Sequence, residues 1–250
     1  MGVALVTHLV LPYATKTTYD TAVPADIRQD AALAEAHTPE DTRPIQRHVP
    51  LPSAVKGVYM TSCVAGTPSL RAQLVSLIEE TELNALVIDV KDYSGTISFA
   101  PTSPELAPAW ADARCGAQDM ETFIQALHEK GIYVIARITV FQDPFYSARH
   151  PELAVKRASD GAVWKDYKGL SFIDVGARPY WDYIVSLATE SYNLGFDELN
   201  FDYVRYPSDG NLTDVAFQYS AGKNKRENLE SFFKYLHESL GDSERYASVR

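Results

Sequence analysis

From residue 56 onward the sequence alternates short apolar strands with amphipathic helices, and this order limits the folds that the chain can adopt. Strands are predicted at 56–62, 84–92, 132–141 and 196–204, and helices at 69–83, 119–131, 179–195 and 225–241. Gly131 and Gly195 each end a helix just before the next strand. A strand–helix order repeated four times implies parallel strands joined by crossover helices, with a fifth strand beginning at the final RYASVR.

Two architectures share this order, an eight-stranded barrel and an open doubly wound sheet. The open sheet usually has a glycine-rich phosphate turn after its first strand, but TSCVAGTPS has one glycine there. Long insertions follow the second and third strands, and barrel enzymes build their sites from such loops. The sequence therefore predicts an α/β fold of the (β/α)8 TIM-barrel type over residues 55–250, incomplete at the C-terminus. The second insertion is predicted to hold a small hairpin around Asp160-Gly161.

Residues 1–54 are predicted to form a separate N-terminal region. An apolar segment, Val3–Ala14, precedes a polar, proline-rich linker or extended arm. The segment is too short to span a bilayer and has no basic flank typical of a signal peptide. The segment could be the tail of a longer export or anchor segment, so the sequence leaves open whether the chain lies near a membrane.

The formal net charge of −10 argues against a nucleic-acid-binding protein, since phosphate contacts need a basic surface. The two cysteines, Cys63 and Cys115, form no metal-ligand pattern, so no structural zinc site is predicted. They could form a disulfide in an oxidising compartment or remain two buried thiols. The sequence predicts no cofactor and no metal, and it leaves the oligomeric state open.

Alternation along the strands predicts which side chains face the inside of the barrel. In the fourth strand, the apolar Leu199, Phe201 and Tyr203 should pack on the helices, which turns Asp202 inward at the C-terminal end. The same alternation predicts further inward groups on the other strands: Tyr59, Asp89, Lys91 and Arg137. Because buried charges must be paired, these groups could form an ion network that only fills the barrel, but their convergence at the strand ends favours catalysis.

Three further residues of the predicted rim are candidates for substrate contact. Asp92 precedes a glycine within a few positions and could be only a turn residue. Arg205 could bind substrate or pair with Asp202 or Asp209 and brace its loop. Trp164 lies in a rim loop, where an exposed indole would stack on a sugar.

Four segments resemble a known family: VKGVYMTS, NALVIDVKDYSGTISF, GIYVIARITVFQDP and GFDELNFDYVRYPSDG. They are similar to the glycoside hydrolase domain DUF4015, a bacterial TIM-barrel family related in outline to the α-amylase-like hydrolases. The resemblance covers roughly residues 55–250. It implies that Asp202, at the end of the fourth strand, is the nucleophile or stabilises the sugar cation. It also implies a general acid on a fifth strand that is missing from this chain. Asp89, the other inward carboxyl near the rim, could be the acid, but Lys91 beside it would keep it charged, which favours a role as substrate ligand.

The sequence thus predicts a glycoside hydrolase that cleaves a polysaccharide outside the cytoplasm or at the cell envelope. Asp202 and Asp89 are the predicted catalytic residues. The predicted substrate-binding residues are Tyr59, Lys91, Asp92, Arg137, Tyr203, Arg205 and Trp164. A non-catalytic carbohydrate-binding or cell-wall-binding barrel is the main alternative. A metal-dependent hydrolase is a third, disfavoured because no paired histidines stand at the strand ends.

Overall fold

The computed structural model describes residues 48–241 and the backbone of residues 246–249. The predicted N-terminal apolar segment and most of the predicted linker, residues 1–47, lie outside the described residues. Residues Ile45–Arg250 form one compact unit. Among the helices of the described part, none combines the length and apolarity needed to cross a membrane.

Within the described residues the chain forms seven strands and seven α-helices. The strands are β1 (Gly57–Met60), β2 (Ala85–Lys91), β3 (Tyr133–Thr139), β4 (Lys156–Arg157), β5 (Glu198–Asp202), β6 (Val215–Ala216) and β7 (Tyr246–Val249). The helices are α1 (Ser62–Ala65), α2 (Pro68–Glu79), α3 (Ala107–Ala111), α4 (Met120–Glu129), α5 (Pro144–Arg149), α6 (Arg178–Leu194) and α7 (Lys225–Leu240). Short 3-10 helices span Pro151–Leu153 and Leu212–Asp214.

The main sheet is parallel, and its strand order β1-β2-β3-β5-β7 follows the order of the chain. The five predicted strands and four predicted long helices are therefore confirmed, each within a few residues. A doubly wound sheet reverses its strand order at a switch point. No reversal occurs among the described strands, so that alternative is wrong for this part of the chain. Closure into an eight-stranded barrel stays a prediction.

One face of the main sheet packs against the helices, and the other is open. The side chains of the packed face that are buried in the main hydrophobic core include Leu86, Ile88, Val134, Ala136, Leu199 and Phe201. Their neighbours along the strands line a cavity of about 510 Å³ on the opposite face, among them Tyr59, Val87, Ile135, Arg137, Asn200 and Asp202. The predicted alternation is thus confirmed in the middle of the strands, because successive side chains point in turn to the helices and to the cavity.

The predicted hairpin around Asp160-Gly161 is also confirmed. The Arg157 N–H donates to the Ala162 carbonyl at 2.7 Å, and Gly161 adopts the positive φ of 75° that a tight turn requires. Residues 154–173, here called the rim hairpin, attach to the segment that follows β5 through the antiparallel pairing of β4 with β6. The rim hairpin therefore lies at the C-terminal ends of the parallel strands.

A buried carboxylate fixes the opposite, N-terminal end of the sheet. Asp197 is 2% exposed and accepts hydrogen bonds from the Val49 N–H at 2.7 Å, the Val134 N–H at 2.7 Å and His128 Nε2 at 3.0 Å. His48 Nδ1 lies 3.5 Å from the same carboxylate. Burial by itself would raise the pKa of Asp197, but these histidines and the Val134 N–H hold it below its usual range.

Replacing Asp197 with Asn should destabilise the fold by about 2–4 kcal/mol, because an amide cannot satisfy the same set of buried donors. The Asp197 contribution is fully present above its unfolded pKa of about 3.9 and is lost as pH falls through the lower folded pKa. Urea unfolding of wild type and Asp197→Asn at several pH values measures both effects.

The matched control is Glu230→Gln, which removes an exposed i,i+4 ion pair with Arg226 and should change stability by about 0.5 kcal/mol or less. Equal stabilities for Asp197→Asn and wild type at neutral pH would contradict the assigned role of this carboxylate.

Candidate active site

Arg137 bridges two aspartates from the neighbouring strands. Its strand, β3, lies between β2 and β5, so its guanidinium reaches both sides. Arg137 Nη1 donates to Asp89 Oδ1 at 2.6 Å, and Nε and Nη2 donate to Asp202 Oδ2 at 2.9 and 2.6 Å. The structure therefore brings together both predicted catalytic carboxylates on one cation. A charge-assisted pair of this kind fixes the orientation of each carboxylate.

Tyr59 holds the second oxygen of Asp89. Its hydroxyl donates to Asp89 Oδ2, and the Arg137 guanidinium carbon lies 5.7 Å from the centre of its ring. Burial and the adjacent Asp89 carboxylate raise the pKa of Tyr59 well above its usual value. Tyr59 therefore remains a neutral hydrogen-bond donor at all ordinary pH values.

The two carboxylates differ in their surroundings. The Asp89 side chain is 5% exposed, whereas that of Asp202 is 25% exposed and also accepts a 2.6 Å hydrogen bond from the Tyr203 N–H. Burial raises the pKa of Asp89 above its usual value, although Tyr59 and Arg137 oppose this increase. The negative charge of Asp92 adds to it. Burial therefore favours the protonated form of Asp89.

A pocket of about 340 Å³ opens above this cluster at the C-terminal rim. This volume lies within the range of about 300–1,000 Å³ that is typical of small-molecule sites. The pocket is lined by Tyr59, Thr61, Ser62, Cys63, Asp89, Asp92, Tyr93, Arg137 and Tyr203. A lining that combines tyrosines with carboxylates suits a sugar ring, which offers apolar C–H faces and hydroxyl groups.

Asp92 forms the turn contacts that its sequence position allowed, and its role as a substrate ligand stays a prediction. It lines the pocket, and its Oδ1 accepts from the Ser94 N–H at 2.8 Å and the Ser94 hydroxyl at 2.5 Å. The next residue, Tyr93, is 59% exposed and was not predicted as a site residue. Its position in the polar turn after β2 was the available signal, because loops after barrel strands carry function.

The structure corrects the predicted direction of Tyr203. Alternation placed it on the helix side with Phe201, but it lines the pocket instead. Its φ of 53° is the one positive value among the described non-glycine residues, and this left-handed turn interrupts the strand alternation. The Arg205 guanidinium carbon lies 4.8 Å from the centre of the Tyr203 ring, and Arg205 donates to Ser208 Oγ. Arg205 forms no ion pair with a described residue.

The prediction that Lys91 faces the barrel interior is wrong. The register between β2 and β3 shifts between Asp89 and Lys91, which reverses the alternation at that point. Lys91 is fully buried, and its ammonium lies 2.9 Å from Asp143 Oδ2 and 2.6 Å from the Thr139 carbonyl. It does not line the rim pocket. Its charge is neutralised by Asp143, so Lys91 has a structural role.

The prediction that Trp164 stacks on sugar from an open rim loop is also wrong. Trp164 is 1% exposed and forms a small core with Val155 and Phe172 of the rim hairpin. Its indole N–H donates to the Asn211 carbonyl at 3.0 Å. This satisfied, buried indole anchors the rim hairpin to the segment after β5.

The two cysteines form a disulfide, Cys63–Cys115, across 52 residues of sequence. Cys63 lines the rim pocket, so the bond holds one wall of the candidate site. The sequence alone had left two free thiols as the alternative. Within the described ranges, no three His, Cys, Asp or Glu side chains are grouped closely enough to hold a metal ion.

Replacing Tyr59 with Phe should raise the pKa of the Asp89 carboxyl further, because a hydrogen bond to the ionised form is lost. Carboxyl ¹³C NMR titration of aspartate-labelled protein measures this change. Tyr93→Phe is the control, since it removes a hydroxyl from the same pocket that does not bond to Asp89. An unchanged Asp89 titration in Tyr59→Phe would contradict the observed contact.

Sequence comparison identifies one family over most of the chain. Residues 57–250 match DUF4015, which is described as "Putative glycosyl hydrolase domain". No curated protein matches the sequence. A hypothetical protein from Ruminiclostridium thermocellum ATCC 27405, known from its crystal structure, is 30% identical with a TM-score of 0.67. That alignment covers 77% of this chain and 96% of the other.

Two glycosidases share the fold at low sequence identity. An inactive mutant of a GH20 exo β-N-acetylglucosaminidase from Vibrio harveyi is 14% identical with a TM-score of 0.57, over 78% of this chain and 35% of that chain. α-L-Fucosidase isoenzyme 2 from Paenibacillus thiaminolyticus is 13% identical with a TM-score of 0.56, over 78% and 32%. This chain thus spans about a third of each enzyme, and the likeness concerns the fold alone.

Proposed function

We propose that this chain, which belongs to the DUF4015 family, hydrolyses glycosidic bonds of a polysaccharide with Asp202 and Asp89 as its catalytic carboxyls. The observation that carries the proposal is the bridging of both carboxylates by Arg137 beneath a rim pocket. The family description and the fold shared with glycosidases support it. We also propose that the parallel sheet belongs to a (β/α)8 barrel, because its strands follow chain order with helices on one face.

Charge balance assigns a different role to each carboxyl. One guanidinium cation neutralises one carboxylate, and Asp92 adds a further negative charge near Asp89. The second carboxyl therefore favours its protonated form, and burial makes Asp89 that one. Asp202, which is more exposed and is bound by two Arg137 donors, takes the role of the nucleophile.

The proposed reaction follows the two-carboxyl scheme of glycoside hydrolysis. Asp202 attacks the anomeric carbon as the bond to the leaving oxygen breaks, and the Asp89 proton moves to that oxygen. Water then adds to the anomeric carbon, displaces Asp202 and returns a proton to Asp89. Tyr59 and Arg137 position Asp89 throughout. This retaining scheme requires a carboxyl separation of about 5 Å, which one shared guanidinium favours.

Asp202→Asn should lower the rate of reducing-end release from a cleaved polysaccharide by about 100- to 10,000-fold, because the anion that stabilises the sugar cation is removed. A panel of polysaccharides assayed with wild type identifies the substrate for this comparison. Asp112→Asn, which alters an exposed ion pair with Arg149, is the matched control and should retain full activity. Equal release by Asp202→Asn and wild type would end the catalytic assignment.

The same variant separates the enzyme from a non-catalytic sugar-binding barrel. A binding protein would bind polysaccharide equally well as wild type and as Asp202→Asn, and it would release no reducing ends in either form. Turnover by wild type that is lost in Asp202→Asn excludes that alternative.

We further propose that the chain acts outside the cytoplasm or at the cell envelope, since structural disulfides persist in oxidising compartments.

Removing Cys63–Cys115 by the double substitution to Ser should lower the free energy of unfolding by about 3–4 kcal/mol for a loop of 52 residues. Urea unfolding with and without reductant measures this loss. The double variant is its own control, because reductant should no longer affect it. A wild-type stability that is indifferent to reductant, or free thiols in protein alkylated within intact cells, would contradict this location.

A further inference from the structure

A continuous chain of contacts leads from the rim pocket to the turn of the rim hairpin. Tyr203 lines the pocket beside Arg137, and the Arg205 guanidinium stacks on the Tyr203 ring at 4.8 Å. Arg205 in turn donates to Ser208, two residues before Gly210. The segment that leaves the candidate active site therefore carries an exposed cation outward along the rim.

The turn of the rim hairpin packs directly on this segment. A Cβ atom at Gly210 would lie 2.9 Å from the Asp166 Cα and 2.7 Å from the Trp164 ring, so only glycine permits the approach. Trp164 also donates to the Asn211 carbonyl. Trp164 and Asp166, at the start of the turn, thus contact Gly210 and Asn211 of the segment after β5.

The turn itself is preorganised. The Asp166 carboxylate accepts from the Lys168 and Leu170 N–H groups, both at 2.8 Å, and the Asp166 N–H donates to the Leu170 carbonyl at 2.9 Å. Gly169 supplies the positive φ of 79° that closes the turn. This rigid frame presents Tyr167, which is 82% exposed and thus contributes little to the core. A fixed, exposed tyrosine offers a stacking surface at a low entropic cost.

The exposed charges that flank Tyr167 in the sequence are positive. Lys165 and Lys168 are both exposed. Asp166 lies between them, but it is buried and its carboxylate is bound to backbone N–H groups. These two exposed lysines contrast with the net charge of −10 of the whole chain. Exposed cations of this kind attract anions.

We propose that Tyr167, Lys165 and Lys168 form an outer subsite that binds a uronic acid unit of an acidic polysaccharide. Tyr167 stacks on the sugar ring, and the two lysines bind its carboxylate. This inference rests on the proposed function, because it names the substrate class of the same rim. The outer subsite lies on the rim hairpin, which packs on the segment that follows Asp202, so it would bind a unit removed from the cleaved bond.

Binding of polygalacturonate tests the outer subsite, with its methyl-esterified form as the uncharged counterpart. Affinity electrophoresis with Asp202→Asn protein prevents cleavage during the measurement. Polygalacturonate should bind at least about tenfold more tightly than the ester, and added salt should reduce the difference. Tyr167→Ala and the double variant Lys165→Ser/Lys168→Ser should each lose about tenfold in affinity for polygalacturonate.

Lys234→Ser is the matched control, because it removes an exposed lysine from α7 and should leave binding unchanged. Equal affinities for the acid and the ester, or equal losses in Lys234→Ser and the hairpin variants, would overturn the outer subsite. Retained binding by the hairpin variants would do the same. Because binding is measured without turnover, a wild type that binds polygalacturonate through Tyr167 but cleaves nothing would contradict the proposed function alone.

Discussion

The ion bridge from Arg137 to Asp89 and Asp202 is the interaction on which the candidate site depends. Two carboxylates on adjacent parts of one sheet face repel each other unless a cation lies between them. Arg137 supplies that cation from the central strand, and Tyr59 completes the hydrogen bonding of Asp89. One cation for two carboxyls leaves one negative charge uncompensated, and this imbalance is the physical basis of the proposed division into an acid and an anion bound to the same guanidinium.

The sheet makes this bridge possible by separating its two faces. Apolar side chains such as Leu199 and Phe201 pack on the helices, which turns Asn200 and Asp202 to the open side. The opposite end of the sheet is held by the buried Asp197, away from the rim. The residues that stabilise the sheet and the residues of the candidate site thus lie at opposite ends of the same strands, as in barrel enzymes.

Periodicity predicted the strands, the long helices and the inward position of Tyr59, Asp89, Arg137 and Asp202, and the Asp160-Gly161 turn predicted the rim hairpin. The two failures of alternation occur at strand ends. A register shift turns Lys91 into the core, and a left-handed residue turns Tyr203 into the pocket. No glycine or proline stands at either position to indicate the irregularity. The prediction for Trp164 was wrong for another reason, since its indole N–H binds the Asn211 carbonyl, which is distant in sequence.

The proposed outer subsite on the rim hairpin would extend the candidate site beyond one sugar. The contacts of the rim hairpin with the segment after β5 join residues far apart in sequence, so no local pattern reveals them. The most direct test of the account is a crystal structure of Asp202→Asn with a bound oligosaccharide. It predicts an anomeric carbon about 3–3.5 Å from the residue 202 side chain and the glycosidic oxygen within hydrogen-bond distance of Asp89. A sugar bound away from both side chains, or one whose glycosidic oxygen faces neither, would contradict it.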